Sequence, residues 1–355
     1  MRLMNAWGKA ARHTIVSAMP DQLGARDAIA RGVPYEIAQD PPPLTGRPSV
    51  QRFEAIARYC GRFDLVLTYN WGAIDGVMAA RAFARGATPV VHHEDGFNED
   101  EARRLKPERN IYRRIALPAA RALVVPSARL EEIALGTWKQ PRGRVHRIAN
   151  GIRTELYAQK PDPRALPGFR RREGATVVGV IAGLRPVKNL PLLVRALGGV
   201  GPRVQLVIAG EGPEREVIRQ AALAMGLADQ VHFAGFLRDP HRWIGLFDML
   251  ALSSLSEQSP ISVVEAMAAG LPVVSTPVGD VADMVAPENK PFIVSHHDEL
   301  QLRDAVEALA EDPALRRQIG EANRKRARAL YDERAMVAAY GTVYAQAMGK
   351  PGVLP

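Results

Sequence analysis

Residues 175 to 210 carry the pattern that decides the fold: ATVVGVIAGLRPVKNLPLLVRALGGVGPRVQLVIAG. Two apolar runs, at 175–183 and 203–210, flank the helical pattern LPLLVRAL, and each run ends in a glycine or passes through one. Strands this uniformly apolar are typical of parallel sheets whose two faces are both covered by helices. The stretch therefore predicts a strand–helix–strand unit of a parallel sheet.

The same alternation continues in both directions from this unit. Downstream, further apolar runs stand at 230–235, 248–254, 271–277 and 291–295. Upstream, they stand at 13–19, 33–38, 64–70, 88–96, 122–127 and 144–151. The 355 residues are long enough for two hydrophobic cores, so the two series predict two doubly wound α/β domains.

A change of composition at 159–174, QKPDPRALPGFRRREG, separates the two series, because proline, glycine and charge replace the apolar period there. We predict a Rossmann-like N-terminal domain, a linker, a Rossmann-like C-terminal domain and a last helix that crosses back to the N-terminal domain. Their bounds are 1–153, 154–174, 175–330 and 331–355. Open α/β sheets bind ligands beyond the carboxyl ends of their strands, so we expect the two domains to face each other across a ligand-binding cleft.

Composition restricts the class of protein further. With 47% hydrophobic and 24% charged residues, the chain is typical of a soluble globular protein. The sequence shows neither a run of roughly 20 apolar residues nor a signal peptide, so we expect a cytoplasmic protein. Its single cysteine, Cys60, fits a reducing compartment, and we interpret it as a packed side chain and not a nucleophile.

The net charge of +9 favours anionic partners. Zinc-ligand spacings and RNA-binding aromatic motifs are absent from the sequence, so we expect no nucleic-acid partner. Segment 101–117, EARRLKPERNIYRRIAL, mixes apolar residues with the cations Arg103, Arg104, Lys106, Arg109, Arg113 and Arg114. It is either an ordinary solvated helix or an interfacial helix that contacts an anionic membrane, which would place the protein peripherally at the inner face of the plasma membrane.

The motif GLRPVKN (183–189) follows the first strand of the second series. Gly183 frees the backbone at the strand end, and Arg185 and Lys188 emerge before the next helix. Two cations beside a helix N-terminus form an anion site suited to a diphosphate. A solvated basic loop is the alternative.

The motif IAGEGPE (208–214) is a second glycine-rich turn between a strand and a helix. Gly210 and Gly212 allow the backbone to approach a ligand closely. Such turns are common, so the motif by itself is weak evidence for a binding site.

Two glutamates separated by seven residues stand in SEQSPISVVEAMAAGLPVVSTP. The pattern places Glu257 in a loop and Glu265 on the helix that follows it, facing the same cleft. The amides at the start of that helix would point toward an anion; they belong to Ile261, Ser262 and Val263. A pair of surface glutamates is the alternative, but apolar residues flank Glu265, so its carboxylate needs a polar partner.

Taken in order, ANGI (149–152), the Arg-x-x-Lys of GLRPVKN, IAGEGPE and the Glu-x7-Glu followed by AMAAGLPVVSTPVGD resemble the GT4 family of retaining glycosyltransferases. The likeness runs from about Asp64 to the C-terminus. Within that family the chain resembles bacterial sugar transferases of exopolysaccharide or PEP-CTERM/exosortase gene clusters. The resemblance implies the GT-B fold and transfer of a hexose from a nucleotide-diphosphate sugar to a hydroxyl of a sugar or lipid-linked acceptor, in cell-surface polysaccharide or glycolipid synthesis.

The resemblance also implies roles for single residues. Arg185 and Lys188 would hold the donor diphosphate, Glu257 would approach the donor sugar, and Glu265 would hold the ribose hydroxyls. No metal and no other cofactor is expected, which agrees with the lack of an Asp-x-Asp motif in the sequence. Retention without an obvious protein nucleophile suggests front-face attack by the acceptor hydroxyl, and a covalent intermediate stays open.

In the N-terminal series the family places a histidine after a strand. Here that stretch is VVHHEDGF, where His92 and His93 are both candidates and His93 is slightly preferred as the catalytic histidine. The alternative is that both histidines satisfy backbone groups at the strand end.

The N-terminus departs from the family pattern, because the first strand and its glycine-rich loop are absent. Either the start codon is assigned too late, which we expect, or the protein lacks a normal piece of its sheet. We predict that residues 1–10 form a helical remnant ending near Gly8. Two other functions stay open: a truncated, inactive nucleotide-sugar-binding scaffold, and a GT-B fold epimerase. A phosphorylase would be much longer and would carry a cofactor lysine.

Overall fold

The computed structural model describes residues 1–19, 21, 23–84, 88–97, 99–101, 104–295 and 298–354. By its internal contacts the chain divides into two compact α/β units. The first contains Met1–Phe97, Leu105–Ile148 and the C-terminal segment from Arg334, and the second contains Ala149–Glu333. Residues 154–174, the predicted linker, group with the second unit.

The first unit is an α/β structure whose elements are shorter than the apolar runs that predict them. Its strands are β1 (His13–Ile15), β2 (Tyr35–Ile37), β3 (Val66–Tyr69), β4 (Val90–His93), β5 (Ala122–Val125) and β6 (Val145–Arg147). Its helices before the chain enters the second unit are α1 (Arg2–Trp7), α2 (Val50–Cys60), α3 (Asn70–Ala79), α4 (Pro107–Ala116) and α5 (Ala128–Glu132). Serine side chains cap the N-termini of α2 and α5. The hydroxyl of Ser49 accepts a hydrogen bond from the amide of Arg52, and that of Ser127 accepts one from the amide of Leu130.

The strands of the first unit lie in two separate parallel sheets. Strands β3 to β6 form a four-stranded sheet in chain order, and β1 pairs with β2 in a two-stranded sheet. The division between the two sheets therefore falls between β2 and β3 in the chain. The helix predicted within residues 1–10 is present: α1 ends at Trp7, and Gly8 follows it with a φ of 52°.

The second unit has one five-stranded parallel sheet in the order β11-β10-β7-β8-β9. The strands are β7 (Thr176–Ile181), β8 (Val204–Ala209), β9 (Val231–Gly235), β10 (Met249–Leu252) and β11 (Val273–Ser275). The helices are α6 (Leu190–Gly198), α7 (Arg215–Ala224), α8 (Ile261–Ala269), α9 (Val281–Met284), α10 (Glu299–Glu311) and α11 (Pro313–Leu330). The predicted strand at 291–295 is reduced to a single bridge between Ile293 and Ser275.

Helices cover both faces of this second sheet. One apolar cluster packs α8 against one face, with Val263, Val264 and Met267 fully buried, and another packs α6 against the other face. Gly270 ends α8 in the left-handed conformation, with a φ of 79°, and any Cβ there would collide with the guanidinium of Arg324. A glycine is therefore required where α8 turns back into the sheet.

The last helix, α12 (Glu333–Met348), packs in the first unit. Met336, Val343 and Tyr344 join the apolar cluster of Trp7, Val91 and Val124. The rings of Trp7 and Tyr344 meet edge to face at 5.5 Å. Within the described part of the chain, no helix has the length and apolar character needed to cross a bilayer.

Candidate functional site

The strand order of the second unit marks one edge of its sheet as a binding position. Strand β7 is first in the chain order of this sheet, and its neighbours are β8 on one side and β10 on the other. In open α/β sheets, ligands bind where the strand order reverses, beyond the carboxyl ends of the strands. The predicted cations Arg185 and Lys188 follow β7, and Glu257 follows β10, so both sides of this switch point carry charged side chains.

Lys188 and Glu257 are in direct contact across the switch point. Nζ of Lys188 lies 2.5 Å from Oε1 of Glu257, and these two side chains are 15% and 13% exposed. The hydroxyl of Ser254 donates to the same carboxylate oxygen at 2.7 Å. Ser254 was not among the predicted site residues, although its position three residues before Glu257 was a usable signal.

The backbone of the GLRPVKN loop is fixed by the glycine-rich loop after β8. The amide of Leu184 donates to the carbonyl of Glu211 at 2.8 Å, and the amide of Glu214 donates to the carbonyl of Leu184 at 3.0 Å. A Cβ at Gly210 would lie 1.9 Å from the carbonyl oxygen of Ala182, and Gly210 has a φ of 150°. The structure therefore shows a second reason for this glycine, which is close packing of one loop against the other.

Arg185 and Gly183 lie exposed on the same loop. Arg185 adopts an extended backbone just before a single helical turn at Pro186–Lys188, and Asn189 then begins α6 with a φ of 47°. The structure thus brings Lys188 against Glu257 and leaves Arg185 on the exposed side of the loop. Both cations stand at the start of α6, as the spacing predicts.

Glu265 lies on α8 among apolar side chains and is 7% exposed. Its Oε1 accepts a hydrogen bond of 3.0 Å from the hydroxyl of Tyr157. A buried carboxylate needs such a donor, so Tyr157 supplies a polar partner of the kind that the apolar neighbours of Glu265 require. At the start of α8, the amide of Val263 donates to the carbonyl of Pro260 at 3.1 Å, so it is used within the first turn.

The loop that carries Glu257 is held from two sides. The side-chain amide of Asn150, from the ANGI motif, donates to the carbonyl of Ser259 at 3.1 Å. The amide of Asp280 donates to the carbonyl of Gln258 at 2.8 Å. Gly279 has a φ of 54°, and a Cβ there would lie 2.2 Å from the same carbonyl, so only glycine fits. The sequence motifs therefore meet at one site in the second unit.

Both candidate histidines of the first unit are buried within β4. His93 is 1% exposed and His92 is 0% exposed. Nδ1 of His93 lies 3.1 Å from the carbonyl oxygen of Thr68, and its Nε2 lies 2.7 Å from the hydroxyl of Tyr344. A carbonyl only accepts, so Nδ1 carries the proton and Nε2 accepts from Tyr344. Burial lowers the pKa of His93 to about 3, so the ring is neutral.

Among the described residues, only one ring nitrogen of His92 has a hydrogen-bond partner: its Nδ1 lies 2.8 Å from the hydroxyl of Thr68, whereas its Nε2 is buried without one. The geometry of His93 matches the alternative named above, in which the histidine satisfies a backbone group at the strand end, whereas His92 contacts a side-chain hydroxyl. Beyond them the first exposed side chain is Asp95, whose amide donates to Oδ1 of Asn70 at 2.7 Å. Two effects raise the pKa of the Asp95 carboxyl: loss of solvation, which is the larger, and the nearby negative charge of Glu94. Asp95 directly follows His92, His93 and Glu94 in the sequence but was not among the predicted site residues.

Two family models match the chain in succession. The model for glycosyltransferase family 4 matches residues 1–156, and the model for glycosyl transferases group 1 matches residues 165–326. In the part of the chain that the structure describes, we find no group of three His, Cys, Asp or Glu side chains arranged to hold a metal ion.

Curated relatives are also glycosyltransferases. The chain is 32% identical to the putative glycosyltransferase EpsF of Bacillus subtilis over 46% of the chain and 44% of EpsF. It is 27% identical to the D-inositol 3-phosphate glycosyltransferase of Kribbella flavida over 77% of the chain and 69% of that protein. The first of these matches therefore spans less than half of the relative's length.

Solved structures with the same fold cover nearly the whole chain. HepE of Anabaena, crystallised in complex with UDP, superposes with a TM-score of 0.76 at 19% identity, over 97% of this chain and 94% of HepE. A glycosyltransferase of Rickettsia africae superposes with a TM-score of 0.79 at 13% identity, over 98% and 94%. These likenesses show the fold, and the prediction of the GT-B class is confirmed.

Proposed function

Because the chain belongs to family 4 of the glycosyltransferases, we propose that it transfers a hexose from a nucleotide-diphosphate sugar to a hydroxyl acceptor, with retention at the anomeric carbon and without a metal. Polysaccharide or glycolipid synthesis at the cell surface is the corresponding process. The nucleotide-sugar donor is supported by the UDP complex of HepE, the structural neighbour described above.

The contact between Lys188 and Glu257 carries the proposal. It brings a cation that follows β7 within 2.5 Å of a carboxylate that follows β10. One group suits a phosphate and the other suits sugar hydroxyls, so adjacent placement fits a ligand in which a sugar is joined directly to a diphosphate. A solvated basic loop and an unrelated surface glutamate would have no reason to meet at the switch point of the sheet.

In the proposed mechanism the second unit stabilises the leaving group. The acceptor oxygen forms a bond to the anomeric carbon while the bond from that carbon to the diphosphate oxygen breaks. The electron pair and the hydroxyl proton both go to the departing diphosphate. Arg185 and Lys188 offset the charge that develops there, and preorganised cations of this kind are worth more in a site that excludes water.

The other residues of the site bind the donor. Glu257 accepts hydrogen bonds from the sugar hydroxyls, and Glu265 accepts them from the ribose. The start of α8, at Ile261 and Ser262, offers helix-terminal amides to the phosphates. We infer no resident cofactor, because these cations and amides supply the positive charge that a metal supplies in other transferases.

Product analysis tests the proposal. The protein is incubated with a panel of nucleotide-diphosphate sugars, release of the nucleoside diphosphate is followed, and the anomeric configuration of the product is measured by NMR. Release of nucleotide, a product with the configuration of the donor, and equal rates with and without EDTA are expected. An inverted product would contradict retention, and loss of turnover in EDTA would contradict metal independence. Nucleotide binding without turnover would favour the inactive scaffold instead.

Peripheral membrane contact through residues 101–117 is a further part of the proposal. Exposure limits which side chains of this segment could take part. Arg113 is 1% exposed, and its Nε lies 3.2 Å from a carboxylate oxygen of Glu94, so this cation does not face a membrane. Arg103 lies outside the described residues. On α4, Ile111 and Ile115 are 56% and 46% exposed, and Arg114 beside them is also exposed. Exposed apolar side chains next to a cation are suited to the surface of an anionic membrane.

A further inference from the structure

Tyr157 contacts the carboxylate proposed to hold the ribose, although 108 positions separate the two residues in sequence. Its hydroxyl donates to Oε1 of Glu265 at 3.0 Å. Tyr157 is 8% exposed and Glu265 is 7% exposed. The hydrogen bond therefore lies inside the protein, where a bond to a charged group is stronger than at the surface and where its loss is costly.

The ring of Tyr157 is held in place by packing. Tyr157 lies in the single-turn helix Thr154–Ala158, and its side chain belongs to the apolar cluster that includes Val264 and Met267 of α8. A tyrosine ring has two side-chain torsions, and packing fixes both. The position of the hydroxyl oxygen is thereby fixed relative to α8, whereas a glutamate by itself could turn its carboxylate about three torsions.

We propose that Tyr157 is a positioning residue for nucleotide recognition, and that it sets the orientation in which Glu265 receives the two ribose hydroxyls. This inference rests on the proposed function, because it concerns the donor site of the second unit. A vicinal diol presents two donors in fixed directions, so the carboxylate binds both only in a narrow range of orientations. The hydroxyl of Tyr157 holds one oxygen of that carboxylate in place, so its removal should widen the range of orientations.

The consequence is a preference for ribose that depends on a residue outside the family motifs. Tyr157→Phe removes one oxygen and keeps the ring that fills the core. We expect the Kd for UDP to rise about tenfold, because the two hydrogen bonds from the ribose hydroxyls to the carboxylate of Glu265 are weakened. The Kd for 2′,3′-dideoxy-UDP, which lacks both hydroxyls, should change less than about twofold, because it gains nothing from an oriented carboxylate.

A matched control exists in the first unit. The hydroxyl of Tyr112 also donates to a carboxylate, Oδ1 of Asp75, at 2.5 Å. Tyr112→Phe therefore removes the same kind of hydrogen bond outside the donor site and should leave the Kd of both nucleotides unchanged. Thermal unfolding of both variants shows whether each stays folded.

A second background separates positioning from general loosening of the site. If Tyr157 acts through Glu265, then Tyr157→Phe should have little further effect on UDP affinity in a Glu265→Gln protein. Calorimetric titration of the four proteins of this cycle with UDP measures the coupling.

The outcomes are distinct. Selective loss of UDP affinity in Tyr157→Phe, abolished in the Glu265→Gln background, supports the inference. Equal losses for UDP and its dideoxy analogue, full UDP affinity in Tyr157→Phe, or an undiminished effect in the Glu265→Gln background would overturn it and leave the proposed function standing. A wild-type protein that binds none of UDP, GDP and ADP would instead overturn the proposed function, and the inference with it.

Discussion

The carboxyl edges of the two parallel sheets present the predicted residues very differently. In the second unit, Lys188 and Glu257 lie in loops several residues beyond β7 and β10, and they meet at a half-open site. In the first unit, His92 and His93 lie within β4 itself and are almost fully buried. Both pairs are polar and both follow apolar runs.

The difference shows that distance from the strand decides whether a polar residue can reach a ligand. A central strand of a covered parallel sheet is buried on both faces, so a histidine in its last residues must find partners inside the protein. Loops beyond the strand end carry no such restriction. We therefore predict that residues at the carboxyl edge of the second unit's sheet govern ligand binding. Residues at the carboxyl edge of the first unit's four-stranded sheet should govern stability.

The largest expected effect tests the second edge. Replacing both Arg185 and Lys188 by alanine should weaken binding of UDP by several kcal/mol in total, since each hydrogen bond to a charged group contributes about 1.5 to 3 kcal/mol. Isothermal titration calorimetry with UDP measures this loss of binding free energy. The exposed cations Arg195 and Arg219, which pair with Glu299 and Glu216, provide the control double variant. Unchanged affinity in the first variant would remove the diphosphate role.

A sharper test of the same edge separates the ribose from the diphosphate. Glu265→Gln should weaken UDP by about 1.5 to 3 kcal/mol and should weaken 2′,3′-dideoxy-UDP far less, because the carboxylate accepts from the ribose hydroxyls. Competition binding with both nucleotides checks the ratio. Equal losses for the two would show that Glu265 supports the fold of the site without holding ribose.

The first edge is tested by the pH dependence of stability. His93 has a folded pKa of about 3, below the ordinary value near 6.5, so below pH 6.5 the unfolded chain takes up a proton that the folded protein does not. The free energy of unfolding should therefore decrease as the pH is lowered. Between pH 7.5 and 5.5 the contribution is about 1.4 kcal/mol.

Urea unfolding of wild type and His93→Gln at the two pH values isolates this contribution. Glutamine can donate to the carbonyl of Thr68 and accept from Tyr344, but it does not titrate. The variant should lose about 1.4 kcal/mol less than wild type on acidification. The same loss in both proteins would mean that His93 is not held neutral by burial.

The smallest expected effect concerns α4. Arg114→Gln should reduce co-sedimentation with phosphatidylserine vesicles at low salt by about 1 kcal/mol, and Glu108→Gln on the same helix should increase it. Binding of the wild type should fall steeply as salt is added. No sedimentation of the wild type at low salt would end the membrane proposal.

Much of the molecule was predictable from local patterns. Apolar runs alternating with helices predicted two parallel α/β units, because a strand buried on both faces must be apolar throughout. The GT-B class was implied by the resemblance of the ordered motifs to the GT4 family. The pairing of Lys188 with Glu257 could be anticipated in kind, since both follow strands that end at one edge of a sheet. The short helix that ends at Trp7, just before Gly8, was likewise predicted, from comparison of the N-terminus with the family pattern.

Other features were decided by tertiary structure. Neither the partner of Glu265 nor the burial of His93 follows from sequence, because Tyr157 and Tyr344 are separated from them by 108 and 251 positions. Hydrogen bonds between such distant residues depend on how helices pack on a sheet, and the local period of a sequence does not encode that packing. The sequence alone therefore determined the chemical types present and the strand ends they follow. Packing determined which side chains bond to each other and which stay open to a ligand.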